Sequence, residues 1–371
     1  MSNPRSFTVA GAGVFGAWIA YTLRLAGHEV TLLDPFGPAH SRASSGGESR
    51  IIRASYGADE IYTRMAKRSL TLWRNFFARI HRPNLFQRTG VLWLTEPANE
   101  HAIASRISLL NSGVPFEDLS PIEVRQRYPQ IKLPGNVSAI LENEAGALMA
   151  RQAVQAVVDE FIRIGGIYRH AAALPLPETN GSTIYACGPW LGKLFPELIG
   201  PRLFVTRQEI LFFGIPPGDA RFQPTQLPIW LDFNAQRGMY GFPDLEARGF
   251  KLACDRHGPP IDLDTADRVV STDTVNEMRA YLAERFPALA GSPVVETRVC
   301  QYENTSNGDF IIDRHPQFEN VWFAGGGSGH GFKHGPAIGE YVAQLISGQR
   351  SKPEPRFQLA SKGMRQSRAV Y

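Results

Sequence analysis

The stretch FTVAGAGVFG, residues 7–16, decides the fold of this chain. Its first four residues are apolar or β-branched and predict a buried strand, and the following GAGVFG has the GxGxxG pattern of a strand-to-helix turn. Gly11 permits the tight turn, Gly13 lets the backbone approach a pyrophosphate, and Gly16 lets the helix pack close to the sheet. The stretch therefore predicts the start of a nucleotide-binding fold.

The residues after this turn complete a nucleotide-binding unit. An amphipathic stretch runs from Ala17 to Ala26 and stops at Gly27, and residues 29–33 predict a second strand with Asp34 at its end. Free N–H groups at a helix start stabilise phosphates, and an acid about 20 residues beyond the turn accepts hydrogen bonds from ribose hydroxyls. The acid at Asp34 disfavours the 2′-phosphate of NADP, whereas NAD and FAD both stay open.

Composition narrows the class of protein. The chain has 371 residues, a formal net charge of +4, 43% hydrophobic and 20% charged residues, the balance of a globular protein. No Lys/Arg block indicates nucleic acid, and no apolar run is long enough for a membrane helix. Cys187, Cys254 and Cys300 show neither a CxxC pair nor metal-ligand spacing, so we expect no disulfides, no metal and a cytoplasmic location.

Patterns along the chain predict an α/β (α+β) protein of two interleaved domains. A βαβ pattern characterises a Rossmann-like nucleotide domain, whereas successive strands characterise a mainly antiparallel-sheet substrate domain. The nucleotide domain takes residues 1–82, 143–201 and 299–371, and the substrate domain takes residues 83–142 and 202–298.

Two segments lack a regular pattern. Residues 46–56 are rich in glycine and then basic, which predicts an irregular connection. The tail after Ser347 is basic and polar, and we expect it to be loosely attached.

A second unit of strand, glycine loop and helix lies near the C-terminus. The apolar residues 321–324 are followed by GGGSGHGFK at 325–333 and then by a helical pattern. A helix N-terminus can stabilise an anion, such as the negative charge that a reduced flavin develops. Five glycines together with Lys333 favour this function over a simple tight turn.

Together these motifs resemble the amine-oxidising FAD family, the D-amino-acid oxidase superfamily, and within it the branch of monomeric sarcosine oxidase and N-methyltryptophan oxidase. The resemblance spans nearly the whole chain, and GHGFK and RIIR are specific to the sarcosine oxidase branch. It is carried by GAGVFG with Asp34, SRIIRASYG (49–57), CGPW (187–190), YGFP and GFK (within 240–251), CQY and FIID (within 300–313), and AGGGSGHGFKHGPAIGE (324–340).

The resemblance implies FAD as the cofactor, covalently attached through Cys300 to the 8α carbon of the flavin; the alternative for Cys300 is a buried, inert thiol. Ser45 and Gly46 stand where the family has two histidines, a departure that bears on the attachment. The residues implied at the cofactor are Gly11, Gly13, Val14, Phe15, Gly16, Asp34, Ser44, Arg50, Gly188, Cys300, Gly327, Gly329, Gly331, Phe332 and Lys333.

The resemblance also implies catalytic roles for three cations. Arg53 and Lys333 match a pair that binds the substrate carboxylate, for which a guanidinium fork and an ammonium are suited. Lys251 matches a lysine near flavin N5 that promotes the reduction of O₂. The implied reaction is hydride transfer from a small amino or imino acid to flavin N5, which gives an imine, followed by reoxidation by O₂, which gives H₂O₂.

Four further residues are implied at the substrate. Tyr240, Tyr302 and Tyr56 match aromatics of the substrate pocket, and Asp255 stands where the family has a histidine. An acid at that position favours a substrate with an additional basic group. The partners implied are the substrate and O₂, and the chain is expected to be a monomer. A dehydrogenase that passes electrons to a quinone or protein carrier, and a flavin-binding protein without turnover, stay open, as does the exact amine.

Overall fold

The structure is a computed structural model that describes residues 5–176, 181–233, 238–368 and 370. Its helices are α1 (Val14–Leu25), α2 (Glu60–Arg79), α3 (Glu100–Asn111), α4 (Pro121–Arg127), α5 (Ala150–Arg163), α6 (Leu191–Leu194), α7 (Thr272–Arg285) and α8 (Gly335–Ile346). None of the helices in the described ranges combines the length and hydrophobicity that crossing a membrane requires.

The strands of the described ranges form three sheets. They are β1 (Ser6–Ala10), β2 (Glu29–Leu33), β3 (Arg50–Ile52), β4 (Phe86–Gln87), β5 (Val91–Thr95), β6 (Glu117–Leu119), β7 (Ser138–Glu142), β8 (Gly146–Leu148), β9 (Ile167–Arg169), β10 (Ser182–Tyr185), β11 (Leu203–Phe213), β12 (Ile229–Asp232), β13 (Met239–Phe242), β14 (Phe250–Cys254), β15 (Val294–Thr305), β16 (Ile311–Arg314) and β17 (Val321–Gly325).

A six-stranded sheet carries the first glycine turn. Its strand order is β16-β17-β10-β1-β2-β9, and all neighbours are parallel except β16 and β17. Ala10 at the end of β1 pairs with Tyr185 on one side and with Leu33 on the other. The carboxyl ends of three neighbouring strands therefore meet at one edge, which is where open α/β sheets bind ligands.

An eight-stranded sheet forms the second layer. Its order is β15-β11-β14-β13-β12-β5-β7-β6, and its pairs are antiparallel except for β12 with β5. A small sheet, β3-β8-β4, forms the third. The predicted fold class, a Rossmann-like domain with a mainly antiparallel sheet, is confirmed. The domain boundaries stay a prediction; β15 crosses the boundary at residues 298 and 299.

Helix α1 is buried along most of its length, and glycines allow its close packing. A β-carbon on Gly16 would lie 1.8 Å from the carbonyl oxygen of Gly11, and one on Gly339 in α8 would lie 2.8 Å from the carbonyl oxygen of Trp18. Only glycine fits at such distances. The sequence FGAWIAYTL therefore forms a central helix that fixes the first glycine turn against the sheet.

Two predictions from the sequence are wrong. The segment 46–56 contains β3, which pairs with β8 about a hundred residues later through contacts such as Arg50 with Leu148. The described part of the tail is packed rather than loose: Phe357 is fully buried, and the Arg356 guanidinium lies 2.6 Å from the Asp309 carboxylate. Residues 369 and 371 of the tail lie outside the described residues.

Glu142, the last residue of β7, ties the eight-stranded sheet to the segment after β3. Its buried carboxylate accepts hydrogen bonds from the Ala54 N–H at 2.7 Å, the Ser55 N–H at 3.0 Å and the Ser55 hydroxyl at 2.5 Å. Three donors are thereby satisfied inside the protein by one side chain. Glu142 thus fixes the backbone that directly follows Arg53.

We expect Glu142→Ala to lower the free energy of unfolding by about 2 kcal/mol or more, because it leaves buried donors without an acceptor, each at about 1–3 kcal/mol. Urea denaturation of the apoprotein measures this. The matched control is Glu144→Ala, since that side chain is 40% exposed and pairs with Arg74 and Arg88 on the surface. Its expected loss is about 1 kcal/mol or less. Equal losses in the two variants would contradict the role of Glu142.

Candidate active site

A cavity of about 460 Å³ extends from the first glycine turn to the second glycine loop. Its walls come from the ends of β1, β2 and β10, from β15 and from the loop before α8. An elongated space between two glycine turns suits a dinucleotide rather than a compact ligand. The predicted cofactor residues that line it are Gly11, Gly13, Val14, Phe15, Asp34, Ser44, Arg50, Gly188, Cys300, Gly327, Gly329, Gly331 and Phe332.

Hydrogen bonds to the Asp34 carboxylate fix the backbone of the first glycine turn. Gly11 has a φ of +100°, and a β-carbon there would lie 2.4 Å from the carbonyl oxygen of Ala186. The Asp34 carboxylate accepts the N–H of Ala12 at 2.8 Å and the N–H of Phe36 at 2.8 Å. Asp34 therefore shapes the turn, and it also lines the cavity.

Ser45 stabilises the start of α1. Its hydroxyl oxygen accepts the N–H of Val14 at 3.1 Å, a bond that the helix itself cannot supply. The residue that replaces a family histidine in the sequence thus contributes to the helix start beside the cavity.

A smaller cavity of about 80 Å³ adjoins the first. Arg50, Cys300, Tyr302, Gly329 and Phe332 line both, so that the two spaces meet at these residues. All five residues that the sequence predicts for catalysis line the smaller cavity: Arg53, Tyr240, Lys251, Tyr302 and Lys333.

Arg53 and Lys333 place two buried positive charges at the smaller cavity. The Arg53 guanidinium lies 4.6 Å from the centre of the Trp93 ring and 4.7 Å from that of Tyr56, and it donates to the carbonyl of Ser55. The Lys333 ammonium donates to the Tyr56 hydroxyl at 2.8 Å and to the carbonyl of His330 at 3.0 Å. Within the described residues neither has a carboxylate within 4 Å. Burial, and then the nearby Arg53 charge, lowers the pKa of Lys333 well below its usual value, and an anionic ligand bound between the two groups would favour the charged form.

Lys251 provides a third buried charge from the middle of β14. Its ammonium donates to the carbonyl of Ser49 at 3.0 Å and to the Ser49 hydroxyl at 3.1 Å, and it lies 4.2 Å from the centre of the Phe242 ring. Burial, and then the neighbouring Arg50 charge, lowers the pKa of Lys251 to about 7. A lysine that titrates near neutrality in a cavity is typical of functional sites.

Tyr302 and Asp255 form a hydrogen-bonded pair in the same cavity. The Tyr302 hydroxyl donates to Asp255 at 2.7 Å. Burial raises the pKa of Asp255, and burial followed by the Asp255 charge raises the pKa of Tyr302, so that the phenol stays neutral. Burial likewise raises the pKa of Tyr240.

Tyr56 does not line the smaller cavity, although the sequence places it among the pocket aromatics. It lies behind Lys333, fully buried, with its hydroxyl 2.8 Å from the His334 ring nitrogen Nε2 as well as from the lysine. It therefore positions the ammonium instead of contacting a ligand.

Three residues at the site are missed by sequence reasoning. Trp93 packs against the Arg53 guanidinium, Glu142 fixes the backbone after Arg53, and Glu303 lines the large cavity. Trp93 and Glu142 lie in sequence far from the motifs, so no local pattern marks them. Glu303 directly follows CQY, and that adjacency is the one signal that could have found it.

Comparison with known proteins identifies the family. The model of the family of FAD-dependent oxidoreductases (DAO) matches residues 6–345. The chain belongs to the FAD-dependent oxidoreductase family. The predicted resemblance is thus confirmed, and FAD rather than NAD is the cofactor.

Relatives in this family align over nearly their whole length. Monomeric sarcosine oxidase of a Bacillus species is 31% identical over 93% of this chain and 93% of its own. Human peroxisomal sarcosine oxidase is 29% identical over 95% and 93%, and N-methyl-L-tryptophan oxidase of Yersinia pestis is 27% identical over 94% and 95%. The solved structure of L-proline dehydrogenase from P. horikoshii has the same fold, with a TM-score of 0.83 at 21% identity over 97% of this chain and 98% of that one.

The residues of the large cavity fit FAD. A β-carbon on Gly331 would lie 2.8 Å from the Cα of Gly327 and 3.0 Å from the Phe15 ring, so only a bare backbone leaves room where the two glycine loops converge. The N-terminus of α1 faces the same space and suits phosphates. The two glycine loops of this chain would hold the cofactor in the large cavity.

Proposed function

We propose that this enzyme oxidises a small amino or imino acid, a secondary amine of the sarcosine type, with O₂ as the electron acceptor. The observation that carries the proposal is the pair of buried cations, Arg53 and Lys333, at a small cavity that adjoins the cofactor cavity. Relatives named for the oxidation of sarcosine and N-methyl-L-tryptophan support it. When bound, FAD supplies the redox chemistry: it accepts a hydride from the carbon next to nitrogen and passes the electrons to O₂, yielding an imine and H₂O₂.

The protein residues position the substrate. Arg53 and Lys333 bind its carboxylate, which supplies the close ion pair that neither side chain has among the described residues. Tyr240 on β13 and Tyr302 on β15 line one side of the smaller cavity. The buried side chains around this cavity keep water away from the reacting carbon. The amine reacts with its lone pair free, so catalysis depends on orientation and electrostatics.

The Asp255 carboxyl bears on which amine is preferred. It lies in the cavity with both cations, and its hydrogen bond to Tyr302 fixes its orientation. An acid at this position favours a substrate that carries an additional basic group. The monomeric state and the cytoplasmic location stay predictions from the sequence.

The function is tested with purified holoenzyme and a panel of N-methyl, cyclic imino and D-amino acids. We expect at least one of them to bleach the flavin without oxygen and to yield one H₂O₂ per turnover with it. Dimethylamine, which is sarcosine without its carboxylate, is the matched control and should leave the flavin oxidised. Bleaching without H₂O₂ would indicate a dehydrogenase, and a flavin that no member bleaches would indicate a protein without turnover.

Lys251 is expected to promote the reaction with O₂, because a cation there stabilises the negative charge that develops on oxygen. Lys251→Met should slow reoxidation of the reduced enzyme about a hundredfold or more and affect anaerobic reduction less. The ammonium is lost as pH rises, so wild-type reoxidation should slow above pH about 7, by up to tenfold per unit; negative charge on reduced FAD moves this decline upward. Stopped-flow absorbance measures both steps, and equal loss in the two half-reactions would contradict the role.

Covalent attachment of FAD through Cys300 is part of the proposal. The sulfur lines both cavities and lies 3.4 Å from the Arg50 guanidinium, and a positive charge beside a cysteine favours its reaction as a nucleophile. Thioether formation replaces a C–H bond of the flavin methyl group by a C–S bond, a two-electron oxidation with O₂ as acceptor.

Acid precipitation separates bound from free flavin. We expect the colour to stay with wild-type protein and to appear in the supernatant of Cys300→Ser, whose alcohol is a far weaker nucleophile. Cys254→Ser is the control because it leaves the Cys300 sulfur intact. Its flavin colour should stay with the precipitated protein. Release of all flavin from wild-type protein would exclude the bond.

A further inference from the structure

Glu303 is a buried acid of the cofactor cavity that the proposed function does not use. It lies on β15, its side chain is 8% exposed, and it lines the large cavity. Its Oε1 accepts the N–H of Gly327 at 3.1 Å. Its Oε2 is buried and has no hydrogen-bond partner among the described residues. Buried polar atoms without a partner are rare, and one in a ligand cavity points to a partner on the ligand.

The surroundings of Oε2 show where the Glu303 carboxyl lies relative to the glycine loops. β-carbons on Gly188 and Gly325 would lie 3.6 Å and 3.9 Å from it, so bare backbone flanks the carboxyl on both sides. Gly188 follows Cys187, whose Cα would lie 3.0 Å from a β-carbon on Gly11. The carboxyl is therefore between the first glycine turn and the second glycine loop. In a dinucleotide that spans these loops, this stretch holds the ribityl chain and its phosphate.

We propose that Glu303 is a cofactor-binding residue whose protonated carboxyl donates a hydrogen bond to a phosphate oxygen of FAD at the ribityl end of its diphosphate. The phosphates are anionic, so an ionised carboxylate would repel them, whereas a carboxylic acid donates. The proposal rests on the family's cofactor and not on the identity of the amine.

The electrostatic surroundings favour the acid form. Burial raises the pKa of Glu303 to about 7, opposed only by the N–H groups of Gly327 and Gly326. The turn after β10 contributes Cys187, and burial raises the pKa of this thiol as well, so that it stays uncharged. On β11, the residue that pairs with Glu303 is the uncharged Val205. Among the described residues, no ion pair within 4 Å joins Glu303 to the basic side chains of the cavity, which are His40, Arg50 and Lys193.

The sign of the pH dependence follows from these facts. FAD selects the protonated form, so binding takes up a proton once the pH exceeds the pKa of the free protein, about 7. The affinity for FAD should therefore fall as pH rises above that value, by up to tenfold per unit. A carboxylate that only holds Gly327 in place would give no such dependence.

The test uses the Cys300→Ser chain, in which FAD exchanges, and follows quenching of FAD fluorescence to obtain Kd across pH. We expect Kd to rise above pH about 7 with Glu303 present and to stay low and flat in Glu303→Gln, which keeps a neutral donor. Glu296→Gln on the same strand is the control and should keep the parental slope, because Glu296 pairs with Arg248 and Arg298 and does not line the large cavity.

The outcomes separate this proposal from the cofactor assignment. A pH slope that is equal in the parental chain and Glu303→Gln, or a parental Kd that does not rise with pH, would overturn the role of Glu303 alone. Absence of FAD binding at every pH, in this chain and with Cys300 intact, would overturn the cofactor assignment together with it.

Discussion

The burial of Arg53, Lys251 and Lys333 with no carboxylate within 4 Å of any of them, among the described residues, is the constraint on which the site depends. Removing a cation from water costs several kcal/mol unless other groups replace the solvent. Carbonyl oxygens and aromatic rings compensate in part, as Ser49 does for Lys251 and Trp93 for Arg53. A bound carboxylate, or the negative charge of a reduced flavin, can offset the part of this desolvation cost that the protein groups do not.

The three sheets bring these charges together from distant parts of the sequence. Arg53 follows β3 of the small sheet, Lys251 lies within β14 of the eight-stranded sheet, and Lys333 precedes α8 in the second glycine loop. Glu142 fixes the backbone after Arg53. The large cavity lies at the edge of the six-stranded sheet, and β15 of the eight-stranded sheet also lines it. The two cavities meet at β15, whose residues Cys300 and Tyr302 line both of them.

Local patterns made part of this architecture predictable. The glycine turns, the order of strands and helices and the family resemblance depend on neighbouring residues, and the three cations lie in recognisable motifs. The pairing of β3 with β8, the acceptor role of Glu142 and the packing of the tail around Phe357 depend on contacts between residues far apart in sequence. Such contacts leave no periodicity or spacing in a single chain. The unpartnered oxygen of Glu303 could be recognised only from its three-dimensional surroundings.

The most direct measurement of the central claim is a titration of the holoenzyme with acetate and with acetamide, which differ in charge but hardly in size. If unneutralised cations border the flavin, acetate should change the visible flavin spectrum saturably, and Arg53→Met should abolish the change, whereas acetamide should have no effect. An equal response to both compounds, or no response to acetate, would contradict the claim that these charges form an anion site beside the cofactor.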